Sequence, residues 1–218
     1  MSKSELLTTL QNRRSTYIFL SRLYAREVSL ELLHKLMDAS PQMDGALGEF
    51  MEKLKVSDLE EAGTDLATEY AALFLNAGRH PVFPYESVYT SEERLLMQGA
   101  RDEVLSEYRK EGLNKIGGFR EPEDHIAIEL EFMSYLCQKT IDSIKNGDDE
   151  AALAYLTKQK DFLEKHLMVW VPTFCIDLER TAKSDFYRGI AKLTKSFIEI
   201  EEENLIQGEL IEHHTKSV

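Results

Sequence analysis

The stretch 119–133 reads FREPEDHIAIELEFM and sets Pro122 among Glu121, Glu123 and Asp124, directly before His125 and an apolar run. These residue types could do three kinds of chemistry. Asp124 with His125 could move a proton, His125 with Glu129 one turn on could hold a metal, and the row of acids could hold a cationic partner. Spacing weakens the first two. A catalytic zinc needs three protein ligands, and the chain has no HExxH. Its only ExxH is Glu31–His34, whereas a di-iron bundle needs two such motifs and two further glutamates. His213 and His214 lie in a polar tail. Neighbouring residues on one helix point about 100° apart, so Asp124 and His125 seldom bond to each other. No GxSxG and no phosphate-cradling loop occurs, and Gly117-Gly118 alone is too weak a signal. No metal, cofactor or catalytic residue is assigned.

Plain structure explains part of the motif. Pro122 suits the first position of a helix, where its missing N–H costs nothing. Glu121, Glu123 and Asp124 would then face the positive end of the helix dipole, each contributing about 0.3–1 kcal/mol. His125 stays unexplained, since a charged imidazole is disfavoured there.

The elements that must position these residues read as helices. After Asp58, a candidate N-cap, Leu59, Ala62, Leu66, Tyr70, Leu73 and Phe74 recur at three- and four-residue steps. Ser91-Glu92-Glu93 opens the next candidate, with Leu95, Leu96, Ala100, Val104, Leu105 and Tyr108 on one stripe and Gly112 at its stop. Ile126, Leu130, Met133 and Leu136 continue the spacing to about Gly147. Helices over roughly 150–166, 168–182 and 185–206 follow, and earlier ones cover roughly 3–26, 29–38 and 44–55. No period-two alternation bounded by turns is found. The expected fold is all-α, a single globular domain of about nine helices. Two irregular stretches, 76–90 and 112–122, are longer than helix connections usually need. The second holds Gly112, Gly117 and Gly118 and could hinge an N-terminal half, 1–111, against a C-terminal half, 123–218.

Composition narrows the partners. There are 39 acidic against 26 basic residues, a formal net charge of −13. That disfavours nucleic acid, which rewards clustered Lys and Arg, and attracts cationic partners through salt-dependent steering. No apolar run approaches the roughly 20 residues of a membrane span, so no membrane insertion is expected. Arg13-Arg14 before STYIFL imitates an export signal, but Arg22, Arg26 and Glu27 break the apolar run, and an amphipathic helix and a cytoplasmic protein are expected. Cys137 and Cys175, far apart in apolar helical patterns, read as buried free thiols.

The loop PVFPYESVYT, 81–90, carries Val82, Phe83, Tyr85, Val88 and Tyr89 between and after two prolines. Its apolar side chains either plug the core or line a concave surface for a peptide. With PYESVY at 84–89, EPEDH at 121–125 and FLEKHLMVWVPTF at 162–174, the chain resembles the TorD/DmsD family of cytoplasmic chaperones, the redox-enzyme maturation proteins of twin-arginine-exported molybdoenzymes. The likeness covers nearly the whole chain. It implies an all-helical protein that binds the twin-arginine leader of a reductase precursor and shields the apoenzyme until its molybdopterin is inserted. Carried over by residue, the leader-binding region would fall on Asp124 and His125, with Glu121 and Pro122 shaping the loop and Pro84, Tyr85, Glu86, Ser87 and Tyr89 forming the other wall. His166, Trp170 and Pro172 match a motif of structural character. The resemblance also implies a monomer or a dimer exchanging C-terminal halves. A guanine nucleotide is bound by some members, but this chain has no phosphate loop to support one.

Magnitudes assign the roles in such a complex. Micromolar affinity corresponds to about −8 kcal/mol, and exposed Arg–carboxylate pairs give roughly 0–1 kcal/mol each. Apolar side chains, about 1.5–3 kcal/mol each when fully buried, must supply most of it. Two other readings stand beside this one: a helical metal-dependent hydrolase using His125 with nearby carboxylates, and a helical scaffold in which neither loop matters.

Overall fold

The computed structural model describes residues 2–39, 45–114 and 119–205. Among these the chain is helical, with one isolated antiparallel bridge, Tyr85 to His125, and no strand. The helices are α1 (Lys3–Ala25), α2 (Leu30–Ala39), α3 (Gly45–Leu54), α4 (Leu59–Phe74), α5 (Glu86–Thr90), α6 (Gly99–Lys110), α7 (Ile126–Asn146), α8 (Asp149–Phe162), α9 (Met168–Thr181) and α10 (Asp185–Leu205). A π-helical turn, Leu163–Leu167, continues α8 directly into α9. The all-α expectation therefore holds.

Local signals fix the ends. Asp58 Oδ1 accepts from the N–H groups of Glu60 and Glu61 and starts α4. Ser184 Oγ accepts from Tyr187 N–H and starts α10. Gly147 closes α7 at φ 74°, a left-handed conformation that costs glycine least, while Asp148 N–H returns to the Ser143 carbonyl.

The described residues form two compact units, each interleaved along the chain. The first gathers 2–22, 85–114, 119–171 and 197–205, and its core includes Leu10, Tyr17, Ile126, Leu130, Phe162 and Trp170. Inside it Arg13 is buried against Glu201: Nε and Nη2 both donate to that carboxylate, at 2.7 Å each to its nearer oxygen. Tyr17 donates to the same group and Gln159 accepts from Arg13. Burial alone would make Arg13 easier to deprotonate; the Glu201 carboxylate reverses this and keeps the guanidinium charged. Arg13, half of the false export signal, is thus a core residue. Cys137 lies beside this network, buried and unbridged, its thiol pushed up to about 12 chiefly by burial. Cys175 is likewise buried and keeps its thiol.

The second unit gathers 23–39, 45–84 and 172–196. Its core is aromatic: Tyr24, Tyr70 and Tyr187 each meet the ring of Phe74 near edge-on. α3 and α10 approach so closely that a Cβ on Gly189 would stand 2.9 Å from the Leu47 Cβ.

Three expectations about boundaries need correction. The segment 76–90 is not wholly irregular, since Glu86–Thr90 forms the short α5. The helix expected from Ser91 starts only at Gly99, which leaves Leu95 and Leu96 outside it and exposed. Pro122 is not the first residue of α7: it opens a turn closed by His125 N–H on its carbonyl, and α7 starts at Ile126. Of the candidate hinge, Gly112 lies at φ 70° just past α6, while Gly117 and Gly118 lie outside the described residues, as do His213 and His214.

Candidate functional site

Within the first unit, the two sequence motifs meet. α5 is too short to be stable alone, and Tyr85 at its N-cap offers no side-chain acceptor. Asp124 supplies both missing acceptors. Its carbonyl takes the N–H of Glu86 at 3.0 Å and its Oδ2 takes the N–H of Ser87 at 2.9 Å. The next residue, His125, does the same for α7, its Nδ1 accepting from the N–H of Ala127 at 3.1 Å. One dipeptide therefore caps two helices. The turn opened by Pro122 aims the pair in these two directions, with the Tyr85–His125 bridge alongside.

This resolves the odd histidine. His125 is buried, edge-on to the rings of Tyr85 and Phe119 at 5.1 and 5.3 Å. Burial pushes its pKa from 6.5 to about 3, so it stays neutral and can serve as an acceptor at a helix start. The sign of the linkage follows: an unfolded chain would take up the proton near 6.5 and the folded one only near 3. Stability from this group is complete above 6.5 and is lost as pH falls toward 3. At about pH 5 the loss is about 2 kcal/mol. Urea unfolding should show a lower midpoint at pH 5 than at pH 7, and His125→Asn, which retains a capping oxygen, should reduce that difference. An equal pH dependence in the variant would place the acid sensitivity elsewhere.

Behind the caps lies a buried group of carboxyls. Glu86 faces His166 of the π-helical turn, oxygen to Nδ1 at 3.0 Å, with both side chains buried. Glu129 is fully buried in α7 and accepts from the indole N–H of Trp170 at 3.0 Å. Burial first, and then the negative charge of Glu86, raise the Glu129 pKa well above the ordinary carboxylate range. The same surroundings raise Tyr108, by burial and then by Glu129, Glu86 and Asp124. Tyr108 donates to the Glu123 carbonyl, and the Glu123 carboxylate pairs with Arg101 at 2.6 Å. Among the described residues no three His, Cys, Asp or Glu side chains converge as a metal would require.

The expected site residues are thus sorted by exposure. Pro84, Tyr85, Glu86, Ser87, Asp124 and His125 are buried, and Tyr89, Glu121 and Pro122 are half-buried at the edge. Tyr85 donates to Glu121 and so joins the two groups. Pro84 belongs to the second unit and the other eight to the first. Sequence reasoning missed Glu129 and His166 as members of the cluster. The signal was available for Glu129, which falls on the Ile126–Leu130–Met133 stripe, where an acid on the core face of a helix demands a partner.

The profile of the nitrate reductase delta subunit family matches residues 38–176, more than half of the chain. The chain belongs to the TorD/DmsD family of chaperones. It is 30% identical over 213 residues to chaperone protein TorD of Vibrio cholerae, with 89% of this chain and 92% of that one covered. The TorD of Aliivibrio fischeri is 26% identical, with 91% and 96% covered. In fold the chain resembles a candidate redox enzyme maturation protein from Archaeoglobus fulgidus, at a TM-score of 0.53 and 24% identity over 86% of this chain and 93% of that one. As a TorD/DmsD-family protein, the chain has its place in molybdoenzyme maturation as a chaperone. The PYESVY and EPEDH stretches of this chain meet in one capped substructure. No helix among the described residues is long and apolar enough to cross a membrane.

Proposed function

We propose that this chaperone acts in the cytoplasm, without catalysing a reaction, by binding the twin-arginine leader of a molybdenum-containing reductase precursor. It holds the apoprotein behind the leader until the molybdopterin cofactor is in place. The observation that carries this reading is the joining of 85–89 to 121–125 through Asp124, with Tyr89, Glu121 and Pro122 each half-exposed. An aromatic ring and a carboxylate on a rigid mount suit a peptide with a basic head and an apolar stretch. The ring supplies buried area and the acid supplies orientation and rate of encounter. Asp124 and His125, being buried, serve as positioning residues for the ring and the acid. The hydrolase reading is not favoured, because His125 already uses Nδ1 as a helix cap and is held neutral by burial.

The chaperone could do this as a monomer or as a dimer exchanging halves at 112–122. An exchange there would carry 123–171 and 197–205 of the first unit together with 172–196 of the second.

The test is co-expression with a molybdoenzyme catalytic-subunit precursor, with its leader, without it, and with its arginine pair replaced by glutamines. The intact precursor should co-purify, the leaderless one should be largely lost, and raising salt should slow association with the intact form. Equal recovery with and without the leader would overturn the leader-binding reading.

A further inference from the structure

Eight residues, Ser91 to Gln98, separate α5 from α6. Leu95, Leu96 and Met97 are consecutive, and are 49%, 42% and 59% exposed. In sequence Leu95 and Leu96 are in phase with Val104 and Tyr108, which the core buries; α6 nevertheless starts after them, at Gly99. The segment is still an ordered turn. Arg94 N–H donates to the Ser91 carbonyl, Leu95 N–H to Ser91 Oγ, and the Gln98 amide to the Leu96 carbonyl. Arg94 and Met97 are held at φ 54° and 60°, left-handed values that are costly for side chains of their size. An apolar stripe in an ordered, strained turn, with its side chains turned to water, marks an interaction surface.

Resting on the leader-binding reading above, we propose that Leu95, Leu96 and Met97 receive the apolar stretch of the leader. Glu92 and Glu93 receive its arginine pair. The order of charge and apolarity carries the assignment. The two exposed acids precede the three apolar residues, as an arginine pair precedes the apolar stretch in a twin-arginine leader. A leader lying parallel to the segment sets arginine against acid at one end and apolar against apolar at the other. Arg94 sits between and carries one opposing charge, so the electrostatic gain is modest and the apolar contact supplies most of the affinity. Methionine adapts to varied apolar side chains, which suits leaders that share character more than sequence. α5, which ends where the segment begins, is held by Asp124, so the capped substructure fixes one end of this surface.

The probe is a fluorescein-labelled synthetic peptide with an Arg-Arg head and a Leu/Ala-rich stretch of leader length, titrated with the full chain. The combined variant Leu95→Ser, Leu96→Ser and Met97→Ser should weaken binding at least about tenfold. Its urea midpoint should equal that of the wild type, since all three side chains are exposed. Leu95→Ile with Leu96→Ile and Met97→Leu should retain affinity. Glu92→Gln with Glu93→Gln should weaken binding about two- to fivefold at low salt and leave it unchanged at high salt. Wild-type affinity in the triple-serine variant would overturn this proposal and leave leader binding standing elsewhere. A wild-type chain that does not bind the peptide would overturn both. If the triple-serine change instead dissociated a dimer and left peptide affinity intact, the surface would belong to a second copy and the proposal would fall.

Discussion

Glu201→Ala should destabilise the chain by about 3–5 kcal/mol, because it leaves the Arg13 guanidinium buried without its counter-charge. The effect should exceed that of any exposed pair. Lys35–Glu31, for example, has both side chains largely in water, where solvent screens the pair. One further group loses its partner at once. Tyr17 donates to the Glu201 carboxylate, and Arg13 Nη1 already lacks an acceptor among the described residues. Urea unfolding followed by circular dichroism gives the number. Replacing both charges, Arg13→Met with Glu201→Leu, should recover most of the loss, since it removes the buried charge rather than isolating it. A single variant within about 1 kcal/mol of wild type would mean that water reaches the pair.

Trp170→Ala should cost about as much, about 3–5 kcal/mol from lost packing alone. The side chain is fully buried, and its ring centroid lies 5.6 Å from that of Tyr89. The substitution also takes the indole donor from Glu129, whose other oxygen lacks a hydrogen-bond partner among the described residues, adding about 1–3 kcal/mol. Trp170→Phe separates the two contributions: it retains most of the ring volume and loses only the donor, so its cost should fall in the lower range alone. Circular dichroism in urea measures all three proteins, as the chain has no other tryptophan to report by fluorescence. Equal costs for Phe and Ala would show that the hydrogen bond matters and the volume does not.

Most helices were legible where the apolar spacing ran unbroken and a cap residue marked the start, but the stripe opened by Ser91 misled, since α6 starts only at Gly99. Asp58 before α4 and Ser184 before α10 are both caps by their own side chains, and local rules find such signals. α5 could not be found that way. Its acceptor, Asp124, is 37 residues from Ser87, and a five-residue helix has no period of its own to display. The same long-range bond explains the misreading of Pro122. The acids after it looked like the first turn of α7 because their real duties, to α5 and to Arg101, depend on chain segments that only folding brings near. The pairing of motifs 84–89 and 121–125 came from resemblance. The geometry adds that their most characteristic residues, Asp124 and His125, face inward. Glu129 was weighed only as a metal partner of His125 and His166 only as part of a structural motif, because their buried partners, Trp170 and Glu86, are 41 and 80 residues away in sequence.

The interleaving of the first unit has a consequence for how the protein is made. Arg13 is synthesised 188 residues before the Glu201 that neutralises it, and 197–205 complete a body begun at 2–22. A nascent chain bearing α1 therefore has no finished core to join, and the Arg13 guanidinium stays unpaired until Glu201 has been made. Folding of this unit must wait until 197–205 have been made, whereas proteins divided into sequential domains fold piece by piece as they emerge. For that interval the chaperone is itself an unfolded client, open to the same holding factors and proteases as the precursor it is made to protect.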